Sequence, residues 1–155
     1  MPEISKVAVV GAGTMGNGIV HVFAQTGYDV TMIDVRADAL EGALKTIGGN
    51  MDRQIRKGTL AEEDRDAALG RIRTSTDLSA VAGADLVVEA ATENRELKFR
   101  IFEEMDRHAP PHAILASNTS SISITEIAGR TGRADRVIGM HFMNPVPVMK
   151  LVEII

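Results

Sequence analysis

The run KVAVVGAGTMG, from Lys6 to Gly16, sets a short apolar segment directly before three glycines spaced G-x-G-x-x-G. A strand that ends in this spacing and opens a helix has one main physical use. Gly11 makes the tight turn, Gly13 lets backbone come close to a pyrophosphate, and Gly16 lets helix and strand pack closely. The free N–H groups at the helix start then meet an anion. Gly11, Gly13, Thr14, Met15 and Gly16 are therefore the first candidate cofactor-binding residues. Asp34 follows 18 residues beyond Gly16, at the end of the next apolar run. A carboxylate there accepts both hydroxyls of an adenosine ribose and repels a 2′-phosphate, which favours NAD over NADP. Arg36 is the reservation, because a nearby arginine can receive that phosphate. The plainer alternative is a glycine turn in which Asp34 only caps a loop.

Working outward, apolar runs bounded by turn residues alternate with amphipathic stretches, the pattern of repeated strand and helix units around a parallel sheet. Strands are expected at Lys6 to Val10, Asp29 to Ile33, Ile72 to Ser75, Leu86 to Glu89, Ile114 to Ser117 and Val137 to His141. Helices are expected at Met15 to Gln25, stopped by Gly27, and at Ala37 to Lys57, stopped by Gly58. The second should turn Leu40, Leu44, Ile47, Met51 and Ile55 inward. Thr59 with Glu62 predicts a capping box for a short helix through Leu69, and Ser123 with Glu126 another. Between them, Arg95 to Ala109 should be helical, with Leu97, Ile101, Phe102 and Met105 inward and Pro110-Pro111 ending it. The fold class is α/β, a Rossmann-type doubly wound, mostly parallel sheet with helices on both faces.

Composition narrows the function. The 155 residues are 45% hydrophobic, enough for one domain with its own core. Absence of cysteine removes disulfides, thiolate metal sites and a thiol nucleophile, and the histidines His21, His108 and His112 have no metal-ligand spacing, so no metal is expected. A net charge of −4 argues against nucleic acid as a partner. No apolar run approaches the roughly 20 residues of a membrane span, and a polar lead running straight into a strand makes the cytoplasm the expected location.

The C-terminal third carries ASNTSS at Ala116 to Ser121 and GMHFMNPVPVMKLVE at Gly139 to Glu153. With GAGTMG and the VVEAATEN run of Val87 to Asn94, this text resembles the 3-hydroxyacyl-CoA dehydrogenase family, especially its bacterial 3-hydroxybutyryl-CoA members. The resemblance implies NAD-dependent oxidation of an L-3-hydroxyacyl-CoA to the 3-ketoacyl-CoA, or the reverse reduction, in fatty-acid beta-oxidation. By motif position it implies His141 as catalytic base, Glu153 as that histidine's carboxylate partner, and Ser120 as a contact to the substrate hydroxyl and cofactor. Asn144 matches a position near substrate and nicotinamide, while Glu93 and Lys98 match cofactor contacts. Lys57 falls where the family has a lysine near the CoA moiety, with Asn50 in place of that lysine's usual serine partner. Met143 replaces a common phenylalanine in the HFxNP stretch, a tolerable apolar exchange. The family's helical C-terminal domain, which brings an active-site asparagine and the homodimer interface, is expected to be absent, so that residues 1–155 form the NAD-binding domain.

The residues support that chemistry independently. Oxidising a secondary alcohol needs a base beside the hydride acceptor, and an imidazole at the carboxyl edge of a parallel sheet meets the need. Glu153 lies 12 residues beyond His141, past a proline turn, so a returning strand could set it beside the histidine. Plainer readings remain for several positions: Ser120 satisfying loop backbone, Lys57 as a solvated helix end, and Glu93 with Lys98 as a surface charge pair. A different function class, an NAD-binding module with little or no turnover, also remains open.

Overall fold

The computed structural model describes residues 3–119, 121–143, 146 and 152–154. Strand and helix alternate from the start: β1 (Lys6–Val10), α1 (Thr14–Thr26), β2 (Asp29–Ile33), α2 (Ala37–Arg56), α3 (Glu62–Gly70) and β3 (Ile72–Ser75). The second half gives β4 (Leu86–Glu89), α4 (Arg95–His108), β5 (Ile114–Ser117), α5 (Ile124–Ala128), β6 (Val137–Phe142) and β7 (Val152–Ile154). The strands form one sheet in the order β3-β2-β1-β4-β5-β6-β7. Pairing is parallel from β3 to β6, and β7 adds an antiparallel edge. This is the doubly wound α/β architecture expected from the alternation.

Period-two alternation assigns each strand residue to one of two cores. Val7, Val9, Leu86 and Val88 pack with Ile19, Val20, Ile47 and Met51 from α1 and α2. Ala8, Val10, Val87 and Leu115 pack on the other face with Phe99, Phe102 and Met105 of α4. The helices thus cover both faces, and each fully buried large side chain stabilises the fold by about 1.5–3 kcal/mol. Phe102, wholly enclosed, is a position where truncation to alanine would cost about 3–5 kcal/mol.

The expected elements form with small differences at their ends. Gly27 and Gly58 both adopt positive φ, at 118° and 77°, where a Cβ would strain the helix exits. Thr59 does not cap the third helix: its hydroxyl turns back to the Gln54 carbonyl, and Ala61 occupies the cap without a side-chain bond. The left-handed turn at Gly58 draws Thr59 toward the end of α2 instead. Of the other expected box one half forms, with Ser123 Oγ accepting from Glu126 N at 3.3 Å, while the Glu126 carboxylate pairs with Arg95. Leu44 and Leu97 are exposed rather than inward; Ala43 replaces the former, and Lys98 with Phe99 the latter. The rest of each stripe holds, with Leu40, Ile47 and Met51 buried on α2 and Phe102 and Met105 on α4. Beyond α4, where Pro110-Pro111 blocks continuation, Arg133 donates to the carbonyls of Asp106, Ala109, Pro110 and Ala113 and to the Asp106 carboxylate. It thereby supplies partners for the orphan carbonyls of the helix end.

Strand order reverses direction at β1, whose chain departs toward β2 and β3 before returning to β4 on its other side. Ligands of open α/β sheets bind in the crevice at such a switch point, outside the carboxyl ends of the strands.

Candidate functional site: a dinucleotide cleft at the switch point

Two clefts open at the carboxyl ends of β1 and β4. One, of about 280 Å³, is lined by Gly13, Thr14, Met15, Ala90 to Glu93, Lys98 and Asn118. The other, of about 270 Å³, is lined by apolar side chains including Val10, Ile33, Val35 and Leu97, with Asp34 at its edge. Ala91 borders both. A polar, glycine-rich half and an apolar half ending in a carboxylate match the two ends of a dinucleotide.

The three glycines divide the work as their spacing predicts. Gly11 has φ of 112°, and a Cβ there would stand 2.7 Å from the Ala90 carbonyl oxygen. A Cβ on Gly16 would reach 1.9 Å from the Gly11 carbonyl oxygen, so α1 approaches the turn as closely as only glycine permits. Around Gly13 nothing lies within 4 Å of an added Cβ, leaving its backbone open to a ligand. No side chain caps α1 and no acidic residue occupies its first turn, so its N–H groups and positive dipole end face the cleft. These features fit the pyrophosphate of NAD.

Asp34 directly follows β2 and does two structural tasks besides bordering the apolar cleft. Its Oδ2 accepts from Ala12 N at 3.0 Å and its Oδ1 from Arg36 N at 3.0 Å. A carboxylate oxygen has two lone pairs, so each retains capacity for a ribose hydroxyl. Arg36 is held by Asp38, with Nη2 to Oδ2 at 2.7 Å on an exposed surface, and that bond keeps the Asp38 carboxyl below its usual range. The arginine already has a carboxylate partner, which weakens the case for a 2′-phosphate.

Lys98 is no surface residue. It is 1% exposed, and its Nζ donates to Glu89 Oε1 at 2.6 Å and to Ser117 Oγ at 3.2 Å. Glu93 Oε1 stands 3.9 Å from the same nitrogen, while Glu93 Oε2 accepts from Thr119 Oγ1 at 2.9 Å and Ser121 Oγ at 2.8 Å. Glu93 therefore fastens the loop after β5 to the loop after β4. Glu89, wholly buried, went unrecognised in the sequence because it reads as the last letter of a strand; a charged residue closing an otherwise apolar run was the available signal.

His141 lies near the end of β6, half-buried, where that strand has left β5 and pairs with β7. Asn118, which lines the glycine-rich cleft, accepts from Phe142 N through Oδ1 at 2.9 Å and so ties His141's strand to the cleft wall. The β6–β7 register sets Glu153 directly opposite His141. Opposed positions of an antiparallel pair share one face of the sheet. Ser120 and Asn144 fall outside the described residues. Asn50 and Lys57 line neither cleft: Asn50 accepts from Arg53 Nη1 at 2.6 Å on α2, and Lys57 is the exposed residue just past that helix.

Comparison with known proteins agrees with this geometry. Residues 6–155 match the family model described as "3-hydroxyacyl-CoA dehydrogenase, NAD binding domain". A 3-hydroxybutyryl-CoA dehydrogenase of Bradyrhizobium diazoefficiens is 52% identical over 152 residues, covering 98% of this chain and 52% of the relative. The mitochondrial hydroxyacyl-coenzyme A dehydrogenase of Rattus norvegicus is 45% identical, covering 98% of this chain and 50% of the relative. A crystal structure of (S)-3-hydroxybutyryl-CoA dehydrogenase from Ralstonia eutropha superposes with a TM-score of 0.96 at 49% identity, covering 98% of this chain and 54% of that one. The chain thus spans about half the length of the relatives it matches. Among the described residues no helix is long and apolar enough to cross a membrane.

Proposed function

The chain belongs to the 3-hydroxyacyl-CoA dehydrogenase family by its NAD-binding domain, and from that premise we propose that it supplies the cofactor-binding and base-bearing half of an enzyme that oxidises L-3-hydroxyacyl-CoA to 3-ketoacyl-CoA, or runs the reverse reduction. The observation that carries the reading is the pairing of His141 opposite Glu153, on the strand that Asn118 ties to the dinucleotide cleft.

Bound NAD supplies the hydride acceptor. The protein's part is to hold the alcohol and remove its proton. His141 accepts the hydroxyl proton in the oxidative direction and returns it in the reductive one, a role worth about 10²- to 10⁴-fold for a positioned base. Glu153 fixes the imidazole tautomer and stabilises the imidazolium once formed. Ser120 holds the reacting oxygen by a hydrogen bond, and Asn144 stands near substrate and nicotinamide. Gly11, Gly13, Thr14, Met15 and Gly16 cradle the pyrophosphate, Asp34 takes the adenosine ribose, and Glu93 with Lys98 contact the cofactor. Lys57 and Asn50 meet the CoA moiety.

The substrate cleft and the homodimer interface call for the half of the relatives' length that residues 1–155 do not cover. Turnover is accordingly expected from a chain carrying that half, and little from these residues alone, since an open cleft neither holds the reacting atoms together nor excludes water. The setting proposed is fatty-acid beta-oxidation in the cytoplasm. A steady-state assay with acetoacetyl-CoA and NADH tests this on a fusion of residues 1–155 to the C-terminal half of a relative. NADH consumption that depends on acetoacetyl-CoA is the expected result. A fusion that binds NADH yet leaves acetoacetyl-CoA untouched would favour a binding module instead.

A further inference from the structure

Beneath the glycine-rich cleft lies a charged cluster that the reaction as outlined leaves unexplained. Glu89, at the end of β4, is 0% exposed, and both of its carboxylate oxygens are hydrogen-bonded. Oε1 accepts from Lys98 Nζ at 2.6 Å and from Ser117 Oγ at 2.9 Å. Oε2 accepts from Ala91 N at 2.8 Å and Thr92 N at 3.3 Å. The strand's other three residues, Leu86, Val87 and Val88, are buried and apolar. Desolvating two charges offsets most of the attraction between Glu89 and Lys98, so the ion pair by itself is weak evidence of a purely stabilising role.

Its geometry gives it a use. Two of the three Nζ hydrogens go to Glu89 and Ser117. The third makes no hydrogen bond among the described residues, with Glu93 Oε1 at 3.9 Å from the nitrogen, and Lys98 and Glu93 line the cleft with Gly13, Thr14 and Asn118. The other carboxylate oxygen meanwhile pins the backbone of Ala91, the residue shared by both clefts. One side chain therefore sets the direction of a cationic donor and the shape of the ridge between the two halves of the cofactor site.

We propose that Glu89 is a positioning residue for the dinucleotide, aiming the Lys98 ammonium into the cleft through one oxygen, fixing the Ala91–Thr92 ridge through the other, and with its charge favouring the oxidised over the reduced cofactor. The last element follows from charge. Glu89 neutralises Lys98 at the cleft wall; without it only the half-exposed Glu93 carboxylate, 3.9 Å away, opposes the ammonium, and the more positive wall disfavours the cationic nicotinamide ring of NAD⁺ relative to the neutral ring of NADH. The inference rests on reading the cleft as a dinucleotide site, and it concerns cofactor binding without any acyl-CoA step.

The test compares Glu89→Gln, Lys98→Met and the double variant in the 155-residue chain, by calorimetric titration with NAD⁺ and with NADH and by thermal melting. Glu89→Gln should raise the Kd for NAD⁺ about tenfold more than that for NADH. The double variant, which leaves no buried lone charge, should melt nearer the parent chain than Glu89→Gln does, yet still bind NADH more weakly than the parent. Equal weakening of both cofactors by Glu89→Gln would overturn the proposal, as would a double variant with parental affinity for both. The double variant keeps the test decisive if Glu89→Gln does not fold. Failure of the dehydrogenase reading would show separately, as missing acetoacetyl-CoA turnover with intact NADH binding.

Discussion

The carboxylate of Asp34 accepts the backbone N–H of Ala12 at 3.0 Å, joining the end of β2 to the middle of the glycine turn after β1. The residue proposed to meet the adenosine ribose thus also holds the loop proposed to meet the pyrophosphate. Asp34→Ala should weaken NAD binding by about tenfold or more, the scale of a charge-assisted hydrogen bond lost together with its loop support. Asp34→Asn keeps an acceptor but drops the charge, so it should narrow the gap between NAD and NADP. Titration of both variants with both cofactors checks this, and unchanged affinities in Asp34→Ala would remove the residue from the site.

Gly13 and Gly16 separate binding from folding. Gly13 has ordinary extended dihedrals, φ −75° and ψ −163°, and open space where a Cβ would go. Gly13→Ala should therefore leave the melting temperature near the parent value while greatly weakening NADH binding. Gly16→Ala drives a methyl to 1.9 Å from the Gly11 carbonyl oxygen, so it should destabilise the fold itself by about 1–3 kcal/mol. Melting and NADH titration of the two variants check the contrast, and a Gly13→Ala chain with normal NADH affinity would refute the pyrophosphate assignment.

How much of this was legible in the sequence depended on whether a feature is local. The glycine turn, Asp34 and the strand ending near His141 were readable because a strand, a turn and a helix start are each set by neighbouring residues. The spacing of 12 residues showed that a returning strand could set Glu153 beside His141, and the β6–β7 register sets the two opposite one another. Lys98 was read as a cofactor contact or a surface charge, and its burial was hidden because its partners Glu89 and Ser117 come from two other elements, 9 and 19 residues away. Leu97 and Leu44 misled for a related reason. Apolar spacing gives the width of a buried stripe, but packing against the sheet decides which edge of it reaches water, and there the stem of a lysine or an alanine took the inner position.

His21 makes stability depend on pH. It is 1% exposed on α1, with Nε2 bonded to Gln25 Oε1 at 2.9 Å and Gln54 Oε1 at 3.1 Å, and Nδ1 has no partner among the described residues. Burial holds its pKa below the usual 6.5 against the opposing pull of both glutamines. The folded state thus binds the proton less readily than the unfolded one, so the contribution of His21 is complete above pH about 6.5 and is lost as pH falls from there toward the folded value. Urea melts between pH 5 and 8 on the parent and on His21→Gln should show the parent's advantage shrinking on the acid side. A difference independent of pH would contradict the assignment.

His141→Gln separates chemistry from cofactor affinity. The imidazole is not among the residues lining the two clefts, so the variant should bind NADH nearly as the parent does. In the fusion carrying a relative's C-terminal half it should lose about 10²-fold or more of acetoacetyl-CoA reduction. Parental turnover by that fusion would take His141 out of the mechanism.

The central claim is that the crevice at the β1–β4 switch point is an NAD site, since the base, the carboxylate partner and the buried Glu89 all take their meaning from it. Calorimetric titration of the 155-residue chain with NADH, and separately with NADPH, measures this directly. The account predicts one saturable NADH site and NADPH weaker by about tenfold or more, because the Asp34 carboxylate faces the added phosphate. Absence of NADH binding, or NADPH bound as tightly as NADH, would contradict it.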